Sequence, residues 1–117
     1  MRLSEDRNNP AASAFKWEML ATGGEPNSGG MGFANPDNLL LDKGGNVWMV
    51  TDTSTSKLNN AVKNRTDDEG KAVNISGLFG NNTIWYIPTS GENAGEALLI
   101  GIGPMECETT GPYLTPD

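Results

Sequence analysis

The stretch "NLLLDKGGNVWMVTD", Asn38 to Asp52, decides the fold. Its two apolar runs, Leu39–Leu41 and Val47–Val50, flank the link "KGG". Runs of this kind, one rich in Val and Trp, joined by a short glycine-containing link, read as a β-hairpin. Downstream, "NTIWYIPT" (Asn82–Thr89) is a third strand, "SGENAG" turns the chain, and "EALLIGIG" (Glu96–Gly103) is its partner. Upstream, "AFKWEML" (Ala14–Leu20) sets Phe15, Trp17 and Met19 against Lys16 and Glu18, the period-two pattern of a half-buried strand. The loop "ATGGEPNSGGMG" separates that strand from the hairpin, and it lacks the lysine and strand–helix setting of a phosphate-cradling loop. Residues 53–72, "TSTSKLNNAVKNRTDDEGKA", are polar and aperiodic. They are predicted to form a loop excursion with room for one helical turn near Leu58–Val62, long enough to be a candidate functional loop.

Composition agrees with short strands and many turns. Of 117 residues, 15 are Gly and 7 are Pro, and the apolar share is 36%, which argues against a helical bundle. Three Trp, three Phe and two Tyr require a core, so the chain is not disordered. The net charge of −7 excludes a basic nucleic-acid surface. Histidine is absent, which removes Ser-His-Asp and Cys-His catalysis and His-ligated zinc. A single cysteine, Cys107, forms no internal disulfide. No apolar run approaches the ~20 residues of a membrane span, and "MRLSEDRNNP" has no apolar stretch of a signal peptide.

The expected fold is all-β. Five or six short strands make between one and two blades of a β-propeller, a single partial propeller over residues 1–117. The first strand has no obvious partner before it, and "TPD" at the end opens a turn, so the chain reads as a slice of a larger propeller. Open strand edges must be covered, and homo-oligomerisation through them is the expected solution.

Several acidic residues invite two readings each. Asp42, beside Gly44-Gly45, belongs to the hairpin turn. Asp52 either ends a strand by accepting backbone hydrogen bonds or presents a carboxylate. Asp37 lies before a strand, where propellers point side chains into the central channel. "GPMECETTGP" (Gly103–Pro112) places Glu106 and Glu108 on one face of an extended segment, either as carboxylates that need a cation or donors to offset burial, or as an exposed acidic turn with Cys107 as a small core residue. Asn81 and Asn82, before a strand, suit turn capping, although amide carbonyls also serve calcium.

In series, "FKWEMLATGG", "GFANPDNLLLDKGGNVWMVTD" and "LFGNNTIWYIPTSGENAGEALLIGIGPMECETTGPYLTPD" resemble the secreted bacterial alkaline phosphatases of the PhoX type, the cyanobacterial members above all. The order and spacing match over nearly the whole chain. The resemblance implies a six-bladed propeller and an exported phosphomonoesterase dependent on Ca2+ and Fe3+, acting on organic phosphate esters and placing the parent in the periplasm or outside the cell. It implies Glu108, in the CE-x-TG motif, as the first metal-ligand candidate, Asp37 in PDN as the second and Asp52 as the third, with Cys107 in a packing role. Catalytic residues are not assigned. The family's upstream cysteine and glutamates and its downstream QHPGE motif are not in these 117 residues, so this chain alone is expected to be inactive. Two other readings compete. A propeller of the gluconolactonase or regucalcin sort shares the PDG and D-x-x-GN-x-W patterns, but the CE-x-TGP segment does not fit it. The other is a non-catalytic β module that self-associates through its edges.

Overall fold

The computed structural model describes residues 1–116. Its centre is a four-stranded antiparallel sheet in the order β3 (Pro36–Leu41), β4 (Val47–Thr51), β7 (Thr83–Ile87), β8 (Leu98–Ile102). This open meander is the unit from which a propeller blade is made. The protein is therefore predominantly β, an all-β partial propeller, with the Asn38–Asp52 hairpin as half of its sheet.

The β3–β4 turn owes its form to one carboxylate. Asp42 Oδ1 accepts the backbone N–H groups of Gly44 at 2.8 Å and Asn46 at 2.9 Å. Its Oδ2 lies 3.4 Å from the Trp48 Nε1–H. The Asn46 backbone N–H, first among these donors, holds the Asp42 carboxyl below its ordinary pKa. Gly45 takes φ of +79°, a left-handed position that a β-carbon would strain.

Alternation along the paired strands gives each sheet face a separate cover. Met49 faces Trp85 and Val47 faces Ile87 across the β4–β7 register. Phe33 lies over this face, with its ring centroid 5.7 Å from that of Trp85 and the planes tilted by 60°. Phe33, Met49, Trp85 and Ile87 form the buried cluster, flanked by Leu20, Ala21, Met31, Val47 and Ala97. On the opposite face Trp48 meets Tyr86, with ring centroids 5.1 Å apart. Val50 and Leu58 are also buried, outside the first cluster.

Two smaller hairpins differ from the sequence expectation. Phe15–Glu18 is a strand, β2, but it does have a preceding partner: β1 (Arg2–Glu5) pairs with it antiparallel, Leu3 opposite Trp17. Nor is β2 half-buried. Phe15 and Trp17 are 60% and 64% exposed, because a two-stranded ribbon outside the sheet has nothing to cover its apolar side. The polar excursion at 53–72 carries structure of its own: α1 (Thr55–Leu58), then β5 (Ala61–Thr66), paired with β6 (Ala72–Asn74). The short helix α2 (Ile75–Phe79) follows, its Gly77 N–H capped by Asn74 Oδ1 at 2.8 Å. An ion pair between Arg65 and Glu25 at 2.7 Å ties the β5–β6 hairpin to the glycine-rich loop.

Candidate functional site

One end of the four-stranded sheet gathers the starts of β3 and β7 and the finishes of β4 and β8. Pro36 is opposite Thr51, and Thr83 is opposite Ile102. The Thr51 and Thr83 hydroxyls are 3.1 Å apart, and the Thr83 hydroxyl accepts the Trp85 Nε1–H at 2.7 Å. Since Thr51 Oγ1 also accepts the Thr83 N–H at 2.9 Å, the two strand ends are tied through side chains as well as backbone.

Asp37, Asp52, Glu106 and Glu108 all lie on segments at this end, whereas Asp42 lies in the β3–β4 turn at the other. Asp37 is the second residue of β3 and is exposed. Asp52 is half-buried just past β4, its N–H donating to the Asn35 carbonyl at 3.1 Å. Glu106 and Glu108 are exposed on the segment that leaves β8, and Glu106 holds φ of +65°. Cys107 is half-buried, and its thiol packs on the α-carbon of Gly103, where a β-carbon would collide with it.

The segment Gly103–Gly111 has no regular secondary structure, so side chains from the strand ends hold it. The Gly103 N–H donates to the Asn82 carbonyl at 2.7 Å. Asn82 Nδ2 donates to the Cys107 carbonyl at 2.9 Å. Thr109 Oγ1 donates to the Thr51 carbonyl at 2.6 Å, and the Gly111 N–H donates to Asn38 Oδ1 at 3.1 Å. In chain order these anchors lie beside β7, at the end of β4 and on β3. The segment is thus a strap that leaves β8 and crosses the end of the sheet toward the opposite edge. From sequence Asn82 suits turn capping or a carbonyl for calcium; its reach to Cys107, and the anchoring by Thr109 and Asn38, have no sequence signal.

The donors present are hard carboxylate oxygens, the class that calcium takes. Yet the described residues contain no group of three or more Cys, Asp or Glu side chains placed to hold a metal ion. No buried side-chain polar atom among them lacks a partner and so points to a missing ligand. The chain's described residues therefore do not by themselves fit a metal centre. The structure brings the segments bearing Asp37, Asp52 and Glu108 to one end of the sheet without assembling a coordination sphere.

An open antiparallel β-meander, with a strap bearing Glu106 and Glu108 across one end, defines the class: a propeller-type β protein whose loops present carboxylates. The model of the family "Alkaline phosphatase PhoX" matches residues 1–117, the whole chain, and the chain belongs to that family. Comparison with curated proteins and with solved structures returns no match. No helix among the described residues is long and apolar enough to cross a membrane.

Proposed function

We propose that this chain contributes one carboxylate-bearing face to a metal-dependent phosphomonoesterase that releases phosphate from organic esters. The observation that carries the reading is the family match over residues 1–117. The convergence of the Asp37, Asp52 and Glu108 segments on one end of the sheet supports it. Glu108 is the first ligand candidate, Asp37 the second and Asp52 the third, toward Ca2+ and Fe3+ held together with residues from elsewhere. Three carboxylates cannot supply metals, nucleophile and charge-stabilising donors together, so the chain alone is inactive in this reading. The complete enzyme acts outside the cytoplasm, in the periplasm or medium.

The test is hydrolysis of p-nitrophenyl phosphate by the 117-residue chain and by a version lengthened by fusion to the remaining blades of a PhoX-family propeller. The lengthened protein is expected to hydrolyse the ester, to lose activity with chelator and to regain it with Ca2+ and Fe3+. Lack of metal-dependent hydrolysis in the lengthened protein overturns the reading.

In isolation the chain self-associates with a second copy through its open sheet edges. β3 and β8 are the terminal strands of the sheet. Leu39 and Leu41 are exposed on one, and Leu98, Leu99, Ile100 and Ile102 on the other. Pairing of these edges with another copy would cover apolar side chains that otherwise face water. Light scattering that finds only monomer at micromolar concentration refutes the association.

A further inference from the structure

We infer that Asn82 is the positioning residue of the strap, fixing the Cys107 carbonyl beside Thr53 and so holding the Glu106–Glu108 segment at the end of β4. It rests on the site reading above only in naming Glu108 and Asp52 as the carboxylates that matter.

Asn82 is 1% exposed and is the largest fully buried side chain among the described residues. That is unusual for an asparagine, since buried amides are costly unless every polar atom is paired. Here they are paired, and the pairing is directional. Oδ1 accepts the Thr53 N–H at 2.6 Å, while Nδ2 donates to the Thr53 carbonyl at 3.1 Å and the Cys107 carbonyl at 2.9 Å. The opposite amide orientation would set Nδ2 against an N–H and Oδ1 against two carbonyls, so only one orientation works. The side chain thus grips both backbone groups of Thr53, the residue after Asp52, and the carbonyl of Cys107, the residue before Glu108. Its own carbonyl takes the Gly103 N–H at the other end of the strap.

No apolar residue of this size could replace that function. Leucine would fill the volume but leave the Thr53 N–H and two carbonyls unpaired. Aspartate would keep the bond from Thr53 but set a carboxylate against two carbonyl oxygens. The chemistry requires one acceptor and two donors on a single short side chain, which only asparagine supplies.

The experiment uses the 117-residue chain and two local readouts. Amide hydrogen exchange at Cys107 and Gly111 reports the strap, because their acceptors are the Pro104 carbonyl and Asn38 Oδ1 rather than Asn82. The rate of Cys107 modification by a thiol reagent reports its packing against Gly103. Asn82→Ala is expected to speed both by about 10- to 100-fold. Thr109→Val, which removes the donor to the Thr51 carbonyl and leaves Asn82 in place, is expected to speed both by a smaller factor and covers the case that Asn82→Ala does not fold. Ile87→Val, a core change distant from the strap, is expected to leave the native-state rates at Cys107 and Gly111 within about twofold. Unchanged rates in a folded Asn82→Ala, or Thr109→Val accelerating both as much as Asn82→Ala does, overturn the inference, as does an equal acceleration by Ile87→Val. Neither readout involves catalysis or metal, so failure of the phosphatase reading and failure of this inference are separately visible.

Discussion

Removing the cover of the central sheet is the sharpest test of how this small core is built. Phe33 is 4% exposed and lies against Trp85. Burying a Phe side chain withdraws about 200 Å² from water, of which alanine would still cover about a third, leaving about 3 kcal/mol at ~25 cal/mol per Å². Loss of the tilted ring pair adds about 1 kcal/mol. Phe33→Ala is therefore expected to cost about 4 kcal/mol, within the ~3–5 kcal/mol usual for such truncations. Little collapse should relieve it, because the neighbouring backbone is already close: a β-carbon on Gly23 would lie 2.7 Å from the Phe33 carbonyl oxygen. For a domain of this size, at roughly 2 kcal/mol per molar of urea, the midpoint should fall by about 2 M. Tryptophan fluorescence follows the transition, at fixed protein concentration because association would add to apparent stability. Phe33→Leu should lose less than half as much. A midpoint shift under about 0.5 M for Phe33→Ala would refute the argument that this ring is the principal cover of the β4–β7 face.

Two further outcomes follow from the turn and the strap. The depressed Asp42 pKa means that its contribution to stability is present above the ordinary carboxylate value and is lost as pH falls through the lower, folded-state value. Thermal melts of the wild-type chain should therefore decline below about pH 4, and Asp42→Asn should flatten that part of the profile; an unchanged acid slope would contradict the turn assignment. Gly103→Ala should cost about 1–3 kcal/mol by overpacking, since its β-carbon would meet the Cys107 thiol and lie 3.1 Å from the Asn82 carbonyl oxygen. The variant should also label faster at Cys107, and an unaltered melting temperature would sink the packing claim.

The central sheet was legible because its strands carry their own signals. Val47, Trp48, Met49 and Val50 on one strand, and Ile84, Trp85, Tyr86 and Ile87 on the other, are dense in β-formers and bounded by turn residues. The first strand was not legible, because Arg2–Glu5 offers one apolar residue, Leu3, and gains its partner through an ion pair between Arg2 and Glu18 as much as through packing. The excursion at 53–72 did contain a readable turn. Asp67 accepts the N–H groups of Glu69 at 3.1 Å and Lys71 at 2.8 Å, and Gly70 has φ of +78°. That is the same D-x-x-G arrangement as Asp42–Gly45, so "DDEGK" signalled a hairpin as "DKGGN" did. Only the flanking apolar runs were missing, with Val62 and Val73 the only large apolar residues on their strands. As for the candidate site, the relevant segments could be named from sequence, but their arrangement could not. The bonds that place them join residues far apart in the chain and use neutral side chains, Asn82, Thr109 and Asn38, which carry no sign of their partners.

Those separations have a kinetic meaning. The strap's anchors span 25 residues from Asn82 to Cys107, 58 from Thr51 to Thr109 and 73 from Asn38 to Gly111. Contacts of such sequence distance repay their loop-closure entropy only after the shorter hairpins have formed. The acidic residues on the strap are thus expected to reach their native places after the strands beneath them. A one-residue slip in the β4–β7 pairing would turn Asn82 to the wrong side of the sheet and leave the strap without its grip. Correct presentation of Glu108 is in this way a report that the strands beneath it have found their register.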